Sequence, residues 1–381
     1  MKKNIYLDYA AATPLDPRVM KAMESYLKEQ FYNPSALYLA GRDARLELEK
    51  ARASIADCLG ARPTEIIFTS GATESNNLAI QGVMRQFPEA ELLASAIEHK
   101  SVLAPARLFR TKQIPVTATG LVRPESLVEL ISNKTVLVSI GMVNNELGTV
   151  QPLRQIASAV KDIRKKRQRN SNKLPLYLHS DAAQAGNFLD LHVSRLGVDL
   201  MTINGGKIYG PRSSGLLYVK TGLKLQPLIL GGGQEMGLRS GTENLAAAVG
   251  LAVALGLAQK QRVPEARRIN ALRYLFLSEL KSKLPEAHLN GPVKNSAPHI
   301  VSVTLPGQDN ERLVMELDEH GIQAASGSAC SAASVVPSHV LKAIGLSDGL
   351  AKATLRLSFG RATTQANIYQ VIDILRHLRA N

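Results

Sequence analysis

Two stretches of the sequence place a chemically reactive side chain directly after an apolar run. The run LPLYLHSD ends in Asp181, and the run LMTIN continues through two glycines to Lys207. The usual position of a lysine in a turn is the solvent-exposed surface. A carboxylate and a primary amine that both follow strands can nevertheless serve one ligand, because ligands of open α/β sheets bind beyond the carboxyl ends of the strands.

A third segment has the features of an anion site. The run EIIFTS leads into GATESNN, where Gly71 lets the backbone approach a ligand and Ala72 and Thr73 open the next helix. The first N–H groups of a helix have no partner within the helix, and they attract phosphate. A threonine that only caps the helix is an equally good interpretation of this turn alone.

Together these groups match the needs of pyridoxal phosphate. That cofactor requires a cradle for its phosphate, a carboxylate beside its pyridinium nitrogen and a lysine that binds its aldehyde covalently. His99 follows the run ELLASA and offers a flat ring that can stack on the pyridine. A loop histidine more often only satisfies local hydrogen bonds, so His99 adds weight only in this combination.

Short apolar runs alternate with longer amphipathic segments from about residue 42 to residue 260. This alternation predicts an α/β fold with a mainly parallel sheet and helices on both faces. The alternation weakens at the last runs, which are separated by glycine-rich stretches. The predicted strands are EIIFTS, ELLASA, QIPVTA, TVLVSIGMV, LPLYLHSD, LMTIN and GLLYVK.

The pattern changes after residue 261, where a long amphipathic helix is followed by strand HIVSVTL, helix NERLVMELDEHG and strand TLRLSFG. This order predicts a smaller α+β domain. We therefore expect a large domain over residues 15–262 and a small domain formed by residues 1–14 and 263–381. The helix near Pro264 would join them directly.

The composition is that of a globular protein. Of the 381 residues, 45% are hydrophobic, which excludes a disordered chain. Cys58 and Cys330 are too few for a disulfide framework or a metal cluster, so we expect a reducing compartment, the cytoplasm, and no metal. The longest apolar run, Leu245 to Ala258, has 14 residues, fewer than the roughly 18 of a membrane span. We also expect no secretion signal.

The net charge is +14, from 46 Lys and Arg against 32 Asp and Glu. The densest basic run extends from Lys161 to Lys173 and contains no aromatic residue. Because it continues an amphipathic pattern, we interpret it as the solvated end of a surface helix followed by a loop. Direct binding of nucleic acid is therefore not expected, and a docking surface for a protein partner is the alternative.

An ordered set of motifs resembles the cysteine desulfurases of the class V aminotransferase superfamily, and the cysteine loop resembles their group I branch. The resemblance extends from Tyr6 to Arg361 and implies pyridoxal-phosphate fold type I, with a seven-stranded sheet in the large domain. The motifs are YLDYAAATP, TSGATESNNLAI, IEHKSVL, VNNELG, SDAAQ, GGKIYGP, GGGQEMGLRSGTEN, SGSACSAAS and LRLSFGR.

The resemblance implies a role for each matching residue at the cofactor. Lys207 would bind the aldehyde and Asp181 the ring nitrogen, while Gln184 would reach the ring oxygen and His99 would stack on the ring. Thr242 would reach the phosphate from the other subunit, which makes a homodimer part of the site. The remaining phosphate-binding positions are Ala72, Thr73 and Asn204.

The resemblance also implies the substrate and the reaction. Asn144 and Arg356 would hold the carboxylate of L-cysteine, and a fork of guanidinium donors suits that group. Lys207 would remove the Cα proton, and the thiolate of Cys330 would take the substrate sulfur as a persulfide and leave L-alanine. Cys58, in an amphipathic helix, is interpreted as a structural residue.

The sequence departs from the family at the phosphate end of the site. The residue before the Schiff-base lysine is usually histidine, and the residue three before it is usually serine; here these positions are Gly206 and Asn204. Asn204 can still donate a hydrogen bond. We expect the cofactor to be held less tightly, by about 1.5–3 kcal/mol, the size of a lost hydrogen bond to a charged group.

Two other functions stay open at this stage. One is a selenocysteine lyase or another β-eliminating class V enzyme, and the other is a non-catalytic sulfur-transfer scaffold or RNA-binding subunit. For a desulfurase, the sulfur acceptor would be an iron–sulfur scaffold protein or a tRNA-thiolating enzyme, and the sequence does not decide between them.

Overall fold

The computed structural model describes residues 4–327 and 337–380. Its strands form one large sheet and two smaller ones. In chain order the strands are β1 (Ile5–Tyr6), β2 (Ile66–Thr69), β3 (Glu91–Ser95), β4 (Arg110–Ile114), β5 (Thr135–Ser139), β6 (Tyr177–Asp181), β7 (Leu200–Asn204), β8 (Gly215–Val219), β9 (His288–Asn290), β10 (Ile300–Thr304), β11 (Ile322–Gln323) and β12 (Thr354–Ser358).

Helices cover the large sheet and build much of the remainder of the described chain. They are α1 (Pro17–Lys28), α2 (Leu39–Leu59), α3 (Ala72–Met84), α4 (Lys100–Ala106), α5 (Pro124–Leu130), α6 (Leu153–Arg169), α7 (Val193–Leu196), α8 (Leu245–Lys283), α9 (Asn310–Glu319), α10 (His339–Ala343), α11 (Asp348–Lys352) and α12 (Gln365–Ala380).

The large sheet has seven strands in the order β2-β8-β7-β6-β5-β3-β4. The pairs from β7 through β6, β5 and β3 to β4 are parallel, whereas β8 is antiparallel to both of its neighbours. The predicted mainly parallel α/β sheet is therefore confirmed. Because β5, β6 and β7 are parallel neighbours, the residues that follow them meet at one edge of the sheet.

One predicted strand was misplaced. The run QIPVTA was assigned as a strand, but β4 spans Arg110–Ile114 and ends before Pro115. Proline has no N–H to donate to a strand ladder, so the strand stops there and the apolar residues beyond it belong to a loop. The strand instead begins at Arg110, whose pairing with Glu91 of β3 starts the parallel ladder.

The described chain from about residue 269 onward forms a second apolar core together with residues of β1. Strands β9, β10 and β12 make an antiparallel sheet, and β1 pairs with β11. Phe276, Leu355 and Phe359 are fully buried in this core. The helix α8 runs without interruption through Pro264 from the large sheet into this core. The domain limits at residues 14/15 and 262/263 stay a prediction.

The basic run Lys161–Lys173 is only partly a solvated surface. Arg167 on α6 is 5% exposed, and its guanidinium donates to the carbonyl oxygens of Ser132 and Thr135 at 2.6 and 2.7 Å. Arg164 bonds to the carbonyl oxygen of Leu176 and to Asp199. The run is otherwise the expected end of a surface helix and a loop, but two of its cations anchor the helix to the sheet, which the sequence did not predict.

No helix in the described ranges is long and apolar enough to cross a membrane. The apolar run from Leu245 to Ala258 is instead the first half of α8, and its leucines and alanines pack in the core beside the large sheet.

Candidate active site

A cavity of about 260 Å³ lies at the carboxyl edge of the large sheet. The cavity is lined by nearly all of the site residues that the sequence predicts. They are Ala72, Thr73, His99, Asn144, Asp181, Gln184, Asn204, Lys207 and Arg356. Thr242 lines a different cavity, and Cys330 lies outside the described residues.

Asp181 is the last residue of β6, and both of its carboxylate oxygens accept hydrogen bonds. Its Oδ2 accepts from Nδ2 of Asn76 at 2.7 Å, and its Oδ1 accepts from the N–H of Ala183 at 2.9 Å. Asn76 is buried on α3, so the helix that starts beside the cavity also orients the carboxylate. Both oxygens therefore act as hydrogen-bond acceptors, and the carboxylate is held in one orientation.

Lys207 closes a short 3₁₀ turn that follows β7. Its Nζ donates to the carbonyl oxygen of Ala10 at 2.9 Å and also to that of Ala11. Its own carbonyl oxygen accepts from Nδ2 of Asn187 at 2.8 Å. The amine is therefore held against the segment that follows β1, and Thr13 ties that segment to the carbonyl oxygen of Gly206 at 3.1 Å.

His99 caps the start of α4, where its Nδ1 accepts from the N–H of Ser101 at 3.1 Å. Burial lowers the pKa of His99, and Lys207 acts in the same direction, whereas Asp181 opposes them. The ring is therefore neutral at neutral pH. Nδ2 of Asn76 lies 2.8 Å from Oγ of Ser101, which connects His99 with the carboxylate network.

The start of α3, which the sequence predicts to bind an anion, lies at the cavity. Gly71 has a φ of +144°, a conformation open to glycine, and the 13-residue helix begins at Ala72. The exposed Thr73 follows in the first turn. Asn204 turns its Oδ1 toward the N–H of Gly206 at 3.0 Å, so this side-chain oxygen holds the lysine turn.

Arg356 and Asn144 also line the cavity. Arg356 is 2% exposed; its Nη2 donates to Oδ1 of Asp8 at 2.7 Å and its Nη1 to the carbonyl oxygen of Asn145 at 3.1 Å. Its Nε is buried with no hydrogen-bond partner in the described part of the chain. Asn144 uses Oδ1 to accept two backbone N–H groups and Nδ2 to donate to Ile97, which fixes the turn.

Thr242 lines a second cavity with Ser70, Arg239 and Glu243. Within one chain it does not belong to the cavity that holds Lys207. The nearby backbone is anchored by a buried ion pair in which Arg52 donates to both oxygens of Glu235 at 2.8 Å.

Sequence reasoning missed several residues of the site. Glu98 is buried in the cavity wall and accepts the N–H of Gly141 at 2.8 Å; burial, with the charge of Asp181, raises its pKa to about 8. Its only sequence signal is its position before His99. Asn76 and Asp8 were also not predicted, because the residues they bond to, Asp181 and Arg356, are far from them in the sequence.

The fold and this cavity define a class V aminotransferase. The family model described as "Aminotransferase class-V" matches residues 5–371. It covers the large sheet, the cavity residues and the core of β10 and β12.

Relatives that match over nearly the whole chain carry the cysteine desulfurase name. Cysteine desulfurase IscS of Dictyoglomus turgidum is 38% identical over 385 residues, which cover 99% of this chain and 95% of the relative. The solved NifS-like protein from Rickettsia africae superposes with a TM-score of 0.88 at 32% identity, over 99% of this chain and 100% of that one. SspA, solved in complex with cysteine, gives 0.79 at 35% identity, over 93% and 98%. The chain belongs to the cysteine desulfurase family, as the sequence motifs predicted.

Proposed function

We propose that this protein converts L-cysteine to L-alanine with pyridoxal phosphate and places the sulfur on Cys330 as a persulfide for a sulfur acceptor. The observation that supports this most strongly is a single cavity that contains Lys207, Asp181, His99 and Arg356. These four side chains supply an amine, a carboxylate, a flat neutral ring and a guanidinium, which together serve an amino-acid substrate and its cofactor.

The residues of the cavity fit the cofactor at each of its polar ends. Asp181 is held as an acceptor by two donors and suits a protonated ring nitrogen. The start of α3 suits the phosphate. One N–H of the Gln184 amide donates to the carbonyl oxygen of Ala10, and the other can donate to the ring oxygen of the cofactor. When bound, pyridoxal phosphate supplies an electron sink for the electrons released at the carbons of the substrate.

Side chains of the protein bind the substrate and transfer its proton. Lys207 holds the cofactor and, once its Nζ is released, accepts the Cα proton of the substrate. Arg356 binds the substrate carboxylate, and Asp8 keeps the guanidinium oriented through the bond of 2.7 Å. The unpaired Nε of Arg356 supports this role, because a buried donor without a partner favours an incoming acceptor.

Cys330 accepts the sulfur. Its thiolate attacks the sulfur of the substrate, and an S–S bond forms as the C–S bond breaks. The carbon fragment leaves as alanine after Cβ gains a proton, equivalent to the one that the Cys330 thiol lost on ionisation, and Lys207 returns the Cα proton. A thiol with an ordinary pKa of about 8.5 is a few per cent ionised at neutral pH. Because the thiolate is a strong nucleophile, this fraction is enough for the attack on the substrate sulfur. The persulfide then passes on by thiol exchange.

The proposal includes a homodimer and a sulfur acceptor. Thr242 would reach the phosphate in the partner's cavity, which agrees with its position away from Lys207 in one chain. Exposed aromatic and aliphatic side chains at Phe31 (73%) and Leu37 (93%) suit burial between subunits. The acceptor is an iron–sulfur scaffold or a tRNA-thiolating enzyme; the IscS name of the relatives fits the first.

The test is an absorbance spectrum of the purified protein with and without L-cysteine, joined to an assay of alanine and of protein-bound persulfide. Wild type should show the cofactor band and form both products. Cys330→Ala should keep the band and lose both products, while the matched variant Cys58→Ala should keep all three. A colourless protein would refute the proposal. Full alanine production from cysteine by Cys330→Ala would refute the role of Cys330 and favour direct β-elimination.

A further inference from the structure

His299 joins the small antiparallel sheet to the cofactor cavity. It precedes β10, its carbonyl oxygen accepts the N–H of Phe359 at 2.8 Å, and its side chain is 4% exposed. The imidazole stacks on the ring of Phe188 with centroids 4.5 Å apart, and its Nε2 lies 3.3 Å from Oε1 of Gln184. Gln184 lines the cavity, but His299 does not.

The hydrogen bonds fix which atoms donate. The carbonyl oxygen of Ala10 can only accept, so the group of Gln184 that faces it at 2.9 Å must be Nε2. The other end of the amide, Oε1, therefore faces His299 and can only accept. Nε2 of His299 must carry a proton, and this assigns its tautomer.

The other ring nitrogen agrees with this assignment. Nδ1 of His299 is buried and has no hydrogen-bond partner in residues 4–327 and 337–380. Burial lowers the pKa of His299 to about 3, and the nearby charge of Arg356 acts in the same direction. A neutral ring with its proton on Nε2 leaves a bare Nδ1, which needs no acceptor beside it.

The same carbonyl oxygen of Ala10 accepts a hydrogen bond from Nζ of Lys207 at 2.9 Å. His299, Gln184, Ala10 and Lys207 therefore form one chain of hydrogen bonds that enters the cavity from the small sheet. Without a donor at residue 299, Oε1 of Gln184 would lose its partner, and only the bond from Nε2 to Ala10 would hold the amide in place.

The geometry points to His299 as a positioning residue that orients the amide of Gln184, so that Nε2 of Gln184 presents its second N–H to the ring oxygen of bound pyridoxal phosphate. This inference rests on the proposed function for the identity of the ligand. The contact between His299 and Gln184 is a property of the protein alone, so it can be tested with and without the cofactor.

The first test measures the dissociation constant of pyridoxal phosphate from protein stripped of cofactor. His299→Phe keeps an aromatic ring beside Phe188 and removes the donor, so we expect binding to weaken about 3- to 10-fold, the size of a neutral hydrogen bond. His299→Gln carries an N–H donor at similar reach and should restore most of the affinity. Phe188→Leu disturbs the stack, keeps the donor and should change affinity by less than about 2-fold.

The second test couples the two residues. In a Gln184→Ala background, His299→Phe should cause no further loss of affinity, because its effect passes through the amide. Three results would overturn the proposal: wild-type affinity in His299→Phe, an equal loss in the Gln184→Ala background, or an equal loss from Phe188→Leu.

The third test reads the tautomer by ¹⁵N NMR of histidine-labelled apoprotein, with the His299 signal assigned by its absence from His299→Phe. A neutral ring protonated at Nε2 is expected at pH 7.5, and a ring protonated at Nδ1 would overturn the proposal. If wild type binds no pyridoxal phosphate, the proposed function fails. The NMR result still decides whether His299 donates to Gln184.

Discussion

Nδ2 of Asn76 lies 2.7 Å from Oδ2 of Asp181, although 105 residues separate them in the chain. Asn76 stands one turn into α3, whose first residue, Ala72, lines the same cavity. One helix therefore orients the carboxylate of Asp181 and also places its first residue, Ala72, in the same cavity. In the proposed function, this helix would set the distance between the group that faces the cofactor ring and the backbone N–H groups that face its phosphate.

Asn76→Ala removes one of the two donors to Asp181. We expect the rate of alanine formation to fall on the order of 10-fold, since a hydrogen bond to a charged group contributes about 1.5–3 kcal/mol. Steady-state kinetics with L-cysteine measure the rate of alanine formation by wild type and Asn76→Ala. The matched variant is Asn77→Ala, whose side chain bonds to Thr73 and Gln81 on the same helix. Equal losses in the two variants would show that the effect comes from the helix rather than from Asp181.

Glu98 makes stability depend on pH. Its pKa in the folded protein is raised to about 8, from 4.5, so between these values the folded state holds a proton that the unfolded state has released. Stability from this group is complete below pH 4.5 and declines as the pH rises toward 8. Glu98→Gln keeps the neutral shape and should remove this decline.

The measurement for Glu98 is the urea midpoint of wild type and Glu98→Gln at pH 5, 7 and 9. The variant should gain stability over wild type as the pH rises, with a difference of a few kcal/mol by pH 9, since each unit of pKa shift is worth about 1.4 kcal/mol. Parallel curves for the two proteins would contradict the raised pKa.

Arg356→Lys keeps the charge but loses the fork of donors that Asp8 and the backbone hold. We expect KM for L-cysteine to rise on the order of 10-fold or more with a smaller change in kcat, because a lysine does not replace a bidentate carboxylate contact. Arg361→Lys is the control: Arg361 pairs with Asp16 and stacks over Tyr209 outside the cavity. It should lower thermal stability and leave KM unchanged. A KM that stays at the wild-type value in Arg356→Lys would remove the assigned role.

Gly206→His should tighten the binding of pyridoxal phosphate by roughly 10-fold or more, since it adds a donor at the phosphate end worth about 1.5–3 kcal/mol. The structure accommodates a side chain here, because among residues 4–327 and 337–380 a Cβ at residue 206 meets only Oδ1 of Asn204 at 3.5 Å and Cα of Arg212 at 4.0 Å. Titration of cofactor-free protein with pyridoxal phosphate measures the dissociation constants of wild type and Gly206→His. Equal dissociation constants would show that glycine at residue 206 does not weaken cofactor binding.

Gly205, next to Gly206, provides a control for substitutions at the lysine turn. A Cβ at residue 205 would lie 2.1 Å from Oγ of Ser214 and 2.9 Å from the carbonyl oxygen of Pro211. Gly205→Ala should therefore destabilise the protein, with a lower midpoint of thermal unfolding. Gly206→Ala should not, and a stable Gly205→Ala would contradict the packing around the lysine turn.

The sequence predicted the elements well where patterns are local. Apolar runs of strand length followed by polar residues located Asp181 and Lys207 at the correct strand ends. The run QIPVTA failed because hydrophobicity extends past Pro115 while the strand ladder does not. The helix expected near Pro264 is present, and α8 continues through that residue although proline usually ends a helical pattern.

The parts of the site that depend on distant contacts could not be predicted in this way. Asn76 and His299 are ordinary polar residues in the sequence. They acquire a role only when folding places them against Asp181 and Gln184, 105 and 115 residues away. The raised pKa of Glu98 likewise comes from burial, which no local pattern encodes. The position of the Cys330 thiol stays a prediction.

Mass spectrometry after borohydride reduction tests the central claim most directly. The holoenzyme is reduced, digested and searched for a peptide that carries the mass of the reduced cofactor. We predict one modified peptide, with the cofactor on Lys207, and no modification in Lys207→Ala. A cofactor on another lysine, or no modified peptide from the wild-type protein, would contradict the proposed chemistry.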